Sequence, residues 1–223
     1  MSANVLKIIA LITMTLDHVG LVFFPQCKWM RIVGRIAFPI FAFMIAEGCK
    51  YTHNRKKYLL QIGLMGIGMQ VVFLIATGSL YQSVFISFSL AIILIYVLDK
   101  AKNSKEMKYW WYALLTASAI TFLCLGLPEI LHDTDYGIDY GIVGVLIPVL
   151  CYFTENRKAK IFVFALSLVA LSAFYGDIQW YCLLTVPLIG MYNNTRGKLK
   201  MKNLFYIYYP THLCVIYMLD MLI

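Results

Sequence analysis

Nine apolar stretches, parted by short loops, constrain this chain more than any other feature. They run over about 5–24, 31–49, 58–77, 83–98, 109–127, 139–153, 160–174, 178–191 and 204–221. A helix needs ~20 mainly apolar residues to cross a ~30 Å hydrocarbon core. Only helices and closed barrels satisfy the backbone there. Of the 223 residues, 61% are hydrophobic and 13% charged, where soluble domains carry roughly 25% charged residues. The expected fold is therefore all-α: a polytopic integral membrane helical bundle, a single transmembrane domain over 1–223. About nine helices cross; the shorter stretches set a range of eight to ten. The first stretch is too long for a signal-peptide core and no small-residue cleavage site follows, so it is read as a helix.

Charge orients the bundle. With nine crossings and a cytoplasmic N-terminus, sixteen of the nineteen basic residues fall on one side. They are Lys7 and the loops around Lys50–Lys57, Lys100–Lys108, Arg157–Lys160 and Arg196–Lys202. Glu129, Asp133, Asp135 and Asp177 fall on the other. Cytoplasmic loops are enriched in Lys and Arg, so the N-terminus lies inside and the C-terminus outside. Basic loops facing anionic membrane lipids also explain the net charge of +8 without nucleic acid. The six cysteines show no CxxC spacing, so no disulfide framework and no metal site are expected. The expected location is a cell membrane, crossed several times.

Against this apolar background the ionisable residues stand out. Asp17 and His18 lie inside the first stretch, pointing about 100° apart on a helix. An intramembrane ionisable residue is a functional-site hypothesis by default. Thr13, Asp17 and Gly20 share one stripe. Asp17 either bonds a neighbouring helix or serves His18, and histidine suits general-base and nucleophilic work. Arg35 lies in the second span, at about the level of Asp17. It either pairs with Asp17 or holds an anionic or carbonyl-bearing ligand through its planar fork. Pro39 should kink this span. Glu47 at its inner end either pairs with Lys50 or Arg55 or faces a ligand. The turn from Lys50 to Lys57 is an orientation signal or a phosphate site. Gly137, Gly141, Gly144 and Pro148 form a small-residue face suited to helix packing, while Asp139 and Tyr140 at the mouth of that span are candidates for ligand contact. In the last span His212 follows Tyr208 by four and Tyr209 by three. That span starts on the inner side, so His212 is expected far in depth from His18. There it is either structural or lines a donor entrance.

Four segments carry a resemblance: LKIIALITMTLDHVGLVFFP, GRIAFPIFAFMIAEGCKYTHNRKKYL, DYGIDYGIVGVLIP and YIYYPTHL. Together they resemble the TraX family, named for a conjugation-associated protein that acetylates the amino terminus of F pilin. That family is similar to a wider group of transmembrane acyltransferases, in which an early-helix histidine and a following arginine are linked to catalysis. The resemblance implies His18 and Arg35 as catalytic residues, with Asp17 orienting the histidine. It implies acetyl-CoA or another acyl-CoA as co-substrate, and no metal.

The expected function is thus an integral-membrane O- or N-acyltransferase. It would move an acyl group from cytoplasmic acyl-CoA to an extracytoplasmic polymer, glycan or protein. Glu47, Tyr51, Arg55, Lys56, Lys57, Tyr209 and His212 are the candidate donor-binding residues. Asp139 and Tyr140 are the candidate acceptor-binding residues. The alternative is a proton-coupled small-solute transporter or channel using Asp17, His18 and Arg35 as a relay.

Overall fold

The computed structural model describes residues 1–197 and 202–220, without the side chains of 76 and 202–206. Lys198 and Lys200 of the last basic loop lie outside the described residues. The chain is all-helical. Its elements are α1 (Ala3–Val22), α2 (Lys28–Gly34), α3 (Ala37–Tyr51), α4 (Arg55–Thr77), α5 (Val84–Asn103), α6 (Met107–Thr121), α7 (Leu127–Ile130), α8 (Gly141–Phe153), α9 (Arg157–Tyr175), α10 (Thr185–Gly190) and α11 (Lys202–Asp220). A π-turn over Phe122–Gly126 joins α6 to α7, and a 3₁₀ segment over Asp177–Leu184 precedes α10. Among the described residues six helical segments are long and apolar enough to cross a membrane, α2–α3 and α6–α7 each counting as one. α8 is apolar but shorter.

The expected kink in the second stretch is a break at Arg35–Ile36, four residues before Pro39. Proline donates no amide hydrogen and its ring crowds the carbonyl four residues earlier, here that of Arg35. The backbone answers with a tight turn, in which the Arg35 amide donates to both Arg31 and Ile32 carbonyls at 3.2 Å. Two helix starts are capped by asparagine. The Asn54 side chain accepts from the Lys57 amide, and that of Asn156 from the Lys158 and Ala159 amides.

The chain divides into two compact units, Met1–Met44 with Asn156–Ile223, and Ile45–Glu155, the boundary falling inside α3. In the first, α1 packs on α2 and α11, and α9 packs on the 3₁₀ segment and α10. The N-terminal strand of chain is strapped to the segment before α11. The Ala3 amide donates to the Thr195 carbonyl at 2.8 Å, and the Asn4 amide to that of Arg196 at 3.2 Å.

In the second unit α5 is central, contacting α4, α6 and α8, with Ala91, Ile92 and Ile95 fully buried. Its loops are tied by a parallel bridge between Gln82 and Ile138. The Asp135 carboxylate accepts from the Ser79 hydroxyl at 2.6 Å and from the Leu80 amide at 2.9 Å. These donors, the Ser79 hydroxyl first, hold the exposed Asp135 carboxyl below the usual carboxylate range. A depressed carboxyl pKa stabilises the tie above the unfolded value and loses that contribution as pH falls through the folded value. Exchange at the Leu80 amide, corrected for its intrinsic pH dependence, is expected to be slow at neutral pH and to speed up as pH falls below the usual carboxylate range. In Asp135→Ala it should be fast throughout; slow exchange in that variant contradicts the tie.

Candidate functional site

α1 presents Asp17 and His18 to two different helices, as adjacent positions on a helix require. Asp17 faces α2, and His18 faces α11.

On the α2 side, one carboxylate holds two guanidinium groups. Arg35 Nη2 donates to both Asp17 oxygens at 2.7 Å. Arg31 Nη1 lies 2.8 Å from Asp17 Oδ2 and donates to the Asp17 backbone carbonyl at 3.2 Å. The side chains are only 13–23% exposed, so this is a mostly buried triad with one positive charge in excess. Arg35 also donates from Nη1 to Gln179 Oε1 at 3.4 Å, reaching the 3₁₀ segment. The close approach rests on glycine. A Cβ at Gly34 would overlap the Asp17 side chain, and one at Gly20 would sit 2.7 Å from Met30 Cβ. Gly34→Ala is expected to force α1 and α2 apart and to destabilise by about 1–3 kcal/mol. Thermal unfolding in detergent checks this, and an unchanged midpoint contradicts it.

On the α11 side, His18 Nδ1 lies 2.9 Å from His212 Nε2. The expected separation in depth is therefore corrected. His212 is the eleventh residue of α11, ~15 Å along its axis, and so reaches the level of the His18 ring. Three residues earlier on α1, the Thr15 hydroxyl meets the Tyr208 hydroxyl at 2.8 Å, four residues before His212. Two contacts in the same order along both helices make α1 and α11 parallel. The Tyr208 ring stacks on His212 at 5.3 Å, and Tyr209 meets both histidines edge-on.

The tautomers follow from the acceptors. His212 Nδ1 faces the Tyr208 carbonyl at 3.0 Å, which only accepts, so Nδ1 carries a proton. In a neutral ring Nε2 is then a lone pair. His18 Nδ1–H donates to it, and this leaves the lone pair of His18 on Nε2. No group among the described residues bonds His18 Nε2.

These contacts also revise Asp17. Its carboxylate is taken up by Arg31 and Arg35, and the partner of the His18 ring is His212, so Asp17 is not the histidine's orienter. Tyr209 and His212 belong to the histidine cluster. The remaining candidates, Glu47, Tyr51, Arg55, Lys56, Lys57, Asp139 and Tyr140, belong to the second unit. Arg55 is engaged by Asp99 at 2.7 Å, donates to the Tyr152 hydroxyl at 3.4 Å and lies over the Tyr96 ring. Lys56 and Lys57 are exposed in the first turn of α4, beside exposed His53 and Tyr51. Glu47 is buried, 6% exposed. The Asp139 carbonyl accepts from the Ser87 hydroxyl, and its carboxylate accepts from the Tyr81 hydroxyl at 3.3 Å. Tyr140 takes a left-handed backbone, φ 59°, at the start of α8. Both residues thus help build the turn into α8.

Sequence reasoning left Arg31, Gln179, Thr15 and Tyr208 outside the site. Helical spacing offered a signal for three of them: Arg31 lies four before Arg35, Thr15 three before His18, and Tyr208 four before His212. Gln179 had none.

The sequence model of the TraX protein family matches residues 2–220. The chain belongs to the TraX family. Among its relatives is the TraX protein of Escherichia coli, 26% identical over 223 residues, covering 96% of this chain and 85% of that protein. A probable fimbrial assembly protein of Dichelobacter nodosus (FimC, serogroup H1) is 26% identical over 245 aligned residues, with 96% of this chain and 94% of the relative covered. An uncharacterised protein of Rickettsia prowazekii shares 52% identity over 40 residues, 18% of this chain and 16% of its own. No solved structure matches the chain. Family membership and the apolar helices make this TraX-family chain a multi-pass membrane protein.

Proposed function

We propose that this TraX-family chain is an acyl-CoA-dependent acyltransferase of the bacterial inner membrane, acting on an amine or hydroxyl of an extracytoplasmic acceptor. The observation that carries the reading is His18 Nε2, which no group among the described residues bonds, on the residue that follows Asp17, whose carboxylate holds two guanidinium groups.

His18 Nε2 takes the proton of the acceptor amine or hydroxyl as the acceptor attacks the thioester carbonyl. Arg35, or Arg31 beside it, stabilises the oxyanion that develops. Such a role is typically worth ~3–4 kcal/mol. The C–S bond then breaks, and His18 returns the proton to the departing thiolate. The acylated acceptor and free CoA leave, with His18 neutral again. Lys56 and Lys57 suit the donor's phosphates by charge, exposure and position at a helix start, while Arg55 is held by Asp99. The name of one relative, a probable fimbrial assembly protein, favours a protein or glycan acceptor at the cell envelope.

Nine crossings with a cytoplasmic N-terminus complete the proposal. The parallel course of α1 and α11 favours an odd number, and the segregated lysines and arginines favour the orientation.

Acetyl-CoA binding tests the donor assignment. At a concentration 100 times its Kd, acetyl-CoA is expected to stabilise the detergent-solubilised protein by about 2.7 kcal/mol. The charge-reversed variant Lys56→Glu/Lys57→Glu should lose most of that shift. A protein that acetyl-CoA leaves unshifted, but that drives solute uptake into liposomes under a pH gradient, would be a transporter instead.

A further inference from the structure

We infer that His212 is the positioning residue of His18, holding the His18 proton on Nδ1 so that Nε2 stays bare; its catalytic meaning rests on the acyl-transfer reading above.

The inference stands on a directed chain of hydrogen bonds. It begins at the Tyr208 carbonyl, which accepts from His212 Nδ1–H at 3.0 Å. It passes through His212 to His18 at 2.9 Å. Each link determines the next, because a neutral imidazole has one donor and one acceptor. An imidazole without such a partner favours the opposite tautomer, with its proton on Nε2, where it blocks base chemistry. His212 is itself held in place. It is 7% exposed, and Tyr208 stacks on it with the ring planes 12° apart. The Thr15 hydroxyl donates to the Leu11 carbonyl and so accepts from the Tyr208 hydroxyl. The last helix is in this way keyed to the first at the level of the reacting nitrogen. When His18 Nε2 has taken the acceptor's proton, the positive charge of the imidazolium is shared across the Nδ1–H···Nε2 bond. Passing the Nε2 proton to the thiolate restores the starting state.

The test uses the full chain in lipid nanodiscs, labelled with ¹⁵N-histidine. His53→Gln and His132→Gln remove the other two histidine signals. In the otherwise native protein, His18 is expected to carry its proton on Nδ1. In His212→Leu the proton should move to Nε2, and in His212→Gln the amide oxygen should accept from His18 and return it to Nδ1. A native His18 protonated on Nε2, or a tautomer that His212→Leu leaves unchanged, overturns the inference. Thiol release from acetyl-CoA, with water as acceptor, reads the consequence. His212→Leu should lower kcat about 10²-fold at unchanged KM, with His212→Gln recovering to within about tenfold. A moved tautomer with unaltered kcat overturns the catalytic role. The expected tautomers, together with no thiol release by the native protein above that of His18→Ala, keep the positioning and refute the acyl-transfer reading.

Discussion

His18→Ala is expected to reduce acetyl transfer by 10²–10⁴-fold, the range that a positioned general base contributes, while the protein still inserts and melts as the native chain does. The second half follows from the contacts. The His18 ring is half-buried, and its one hydrogen bond among the described residues goes to His212. Its removal leaves His212 Nε2 without a donor, which a water entering the vacated space can supply. Transfer measured per mole of folded protein separates the two halves. Transfer that persists in purified His18→Ala protein would mean the base lies elsewhere.

Asp17→Ala should fail in the opposite manner, through folding. Both Arg31 and Arg35 depend on this carboxylate. Removing one partner of a buried ion pair costs about 3–5 kcal/mol, because the remaining charge is left uncompensated. Here two charges would be stranded in a mostly buried place. We expect little folded protein after detergent extraction, and a markedly lower melting temperature in what remains. Replacing all three residues with apolar side chains of similar volume removes the stranded charges, and such swaps are often neutral or stabilising. The triple variant Asp17→Leu/Arg31→Met/Arg35→Met should therefore recover folding and remain inactive. A triple variant that transfers acyl groups at the native rate would reduce the arginines to structural members. Asp17→Ala protein of native stability would contradict the ion triad itself.

The helical framework was legible because lipid leaves few solutions. Apolar length located the unbroken long helices to within a few residues: 58–77 became Arg55–Thr77, and 160–174 became Arg157–Tyr175. The Asp17–Arg35 pair could also be read, since a buried guanidinium at the level of a carboxylate on the preceding helix has one obvious partner. The histidine pair was not legible. Its members lie 194 residues apart, and no periodicity relates the first helix to the last. Depth counted from the basic loop misplaced His212, because it ignored how far up α11 a residue ten positions in actually sits. The break at Arg35–Ile36 was half legible: Pro39 announced a disturbance, but the clash acts one turn earlier, at the carbonyl it crowds. That displacement matters, for it places Arg35 at the end of α2, facing Asp17, rather than within a continuous helix.

Asp139 and Tyr140 show that a polar pair at the mouth of a span also serves the backbone. A doubled Asp-Tyr-Gly at the mouth of a span suggested a ligand. The structure uses the carbonyl and carboxylate of Asp139 and the left-handed backbone of Tyr140 to build the turn into α8. Charge in a membrane protein marks a place where the fold needs polarity, and only the partners tell whether the need is structural or chemical.

The central claim is that this chain moves acyl groups from acyl-CoA to an envelope acceptor through His18. Its most direct test is the transfer of radiolabel from [¹⁴C-acetyl]-CoA into an extract of the host's surface proteins and polymers. Purified native protein, reconstituted in liposomes, is compared with His18→Ala at equal amounts of folded protein. We predict label in an envelope component that grows with time and native protein, and background label with His18→Ala. Equal label from both proteins, or none from the native protein while the extract is acetylated by a control acetyltransferase, would contradict the account.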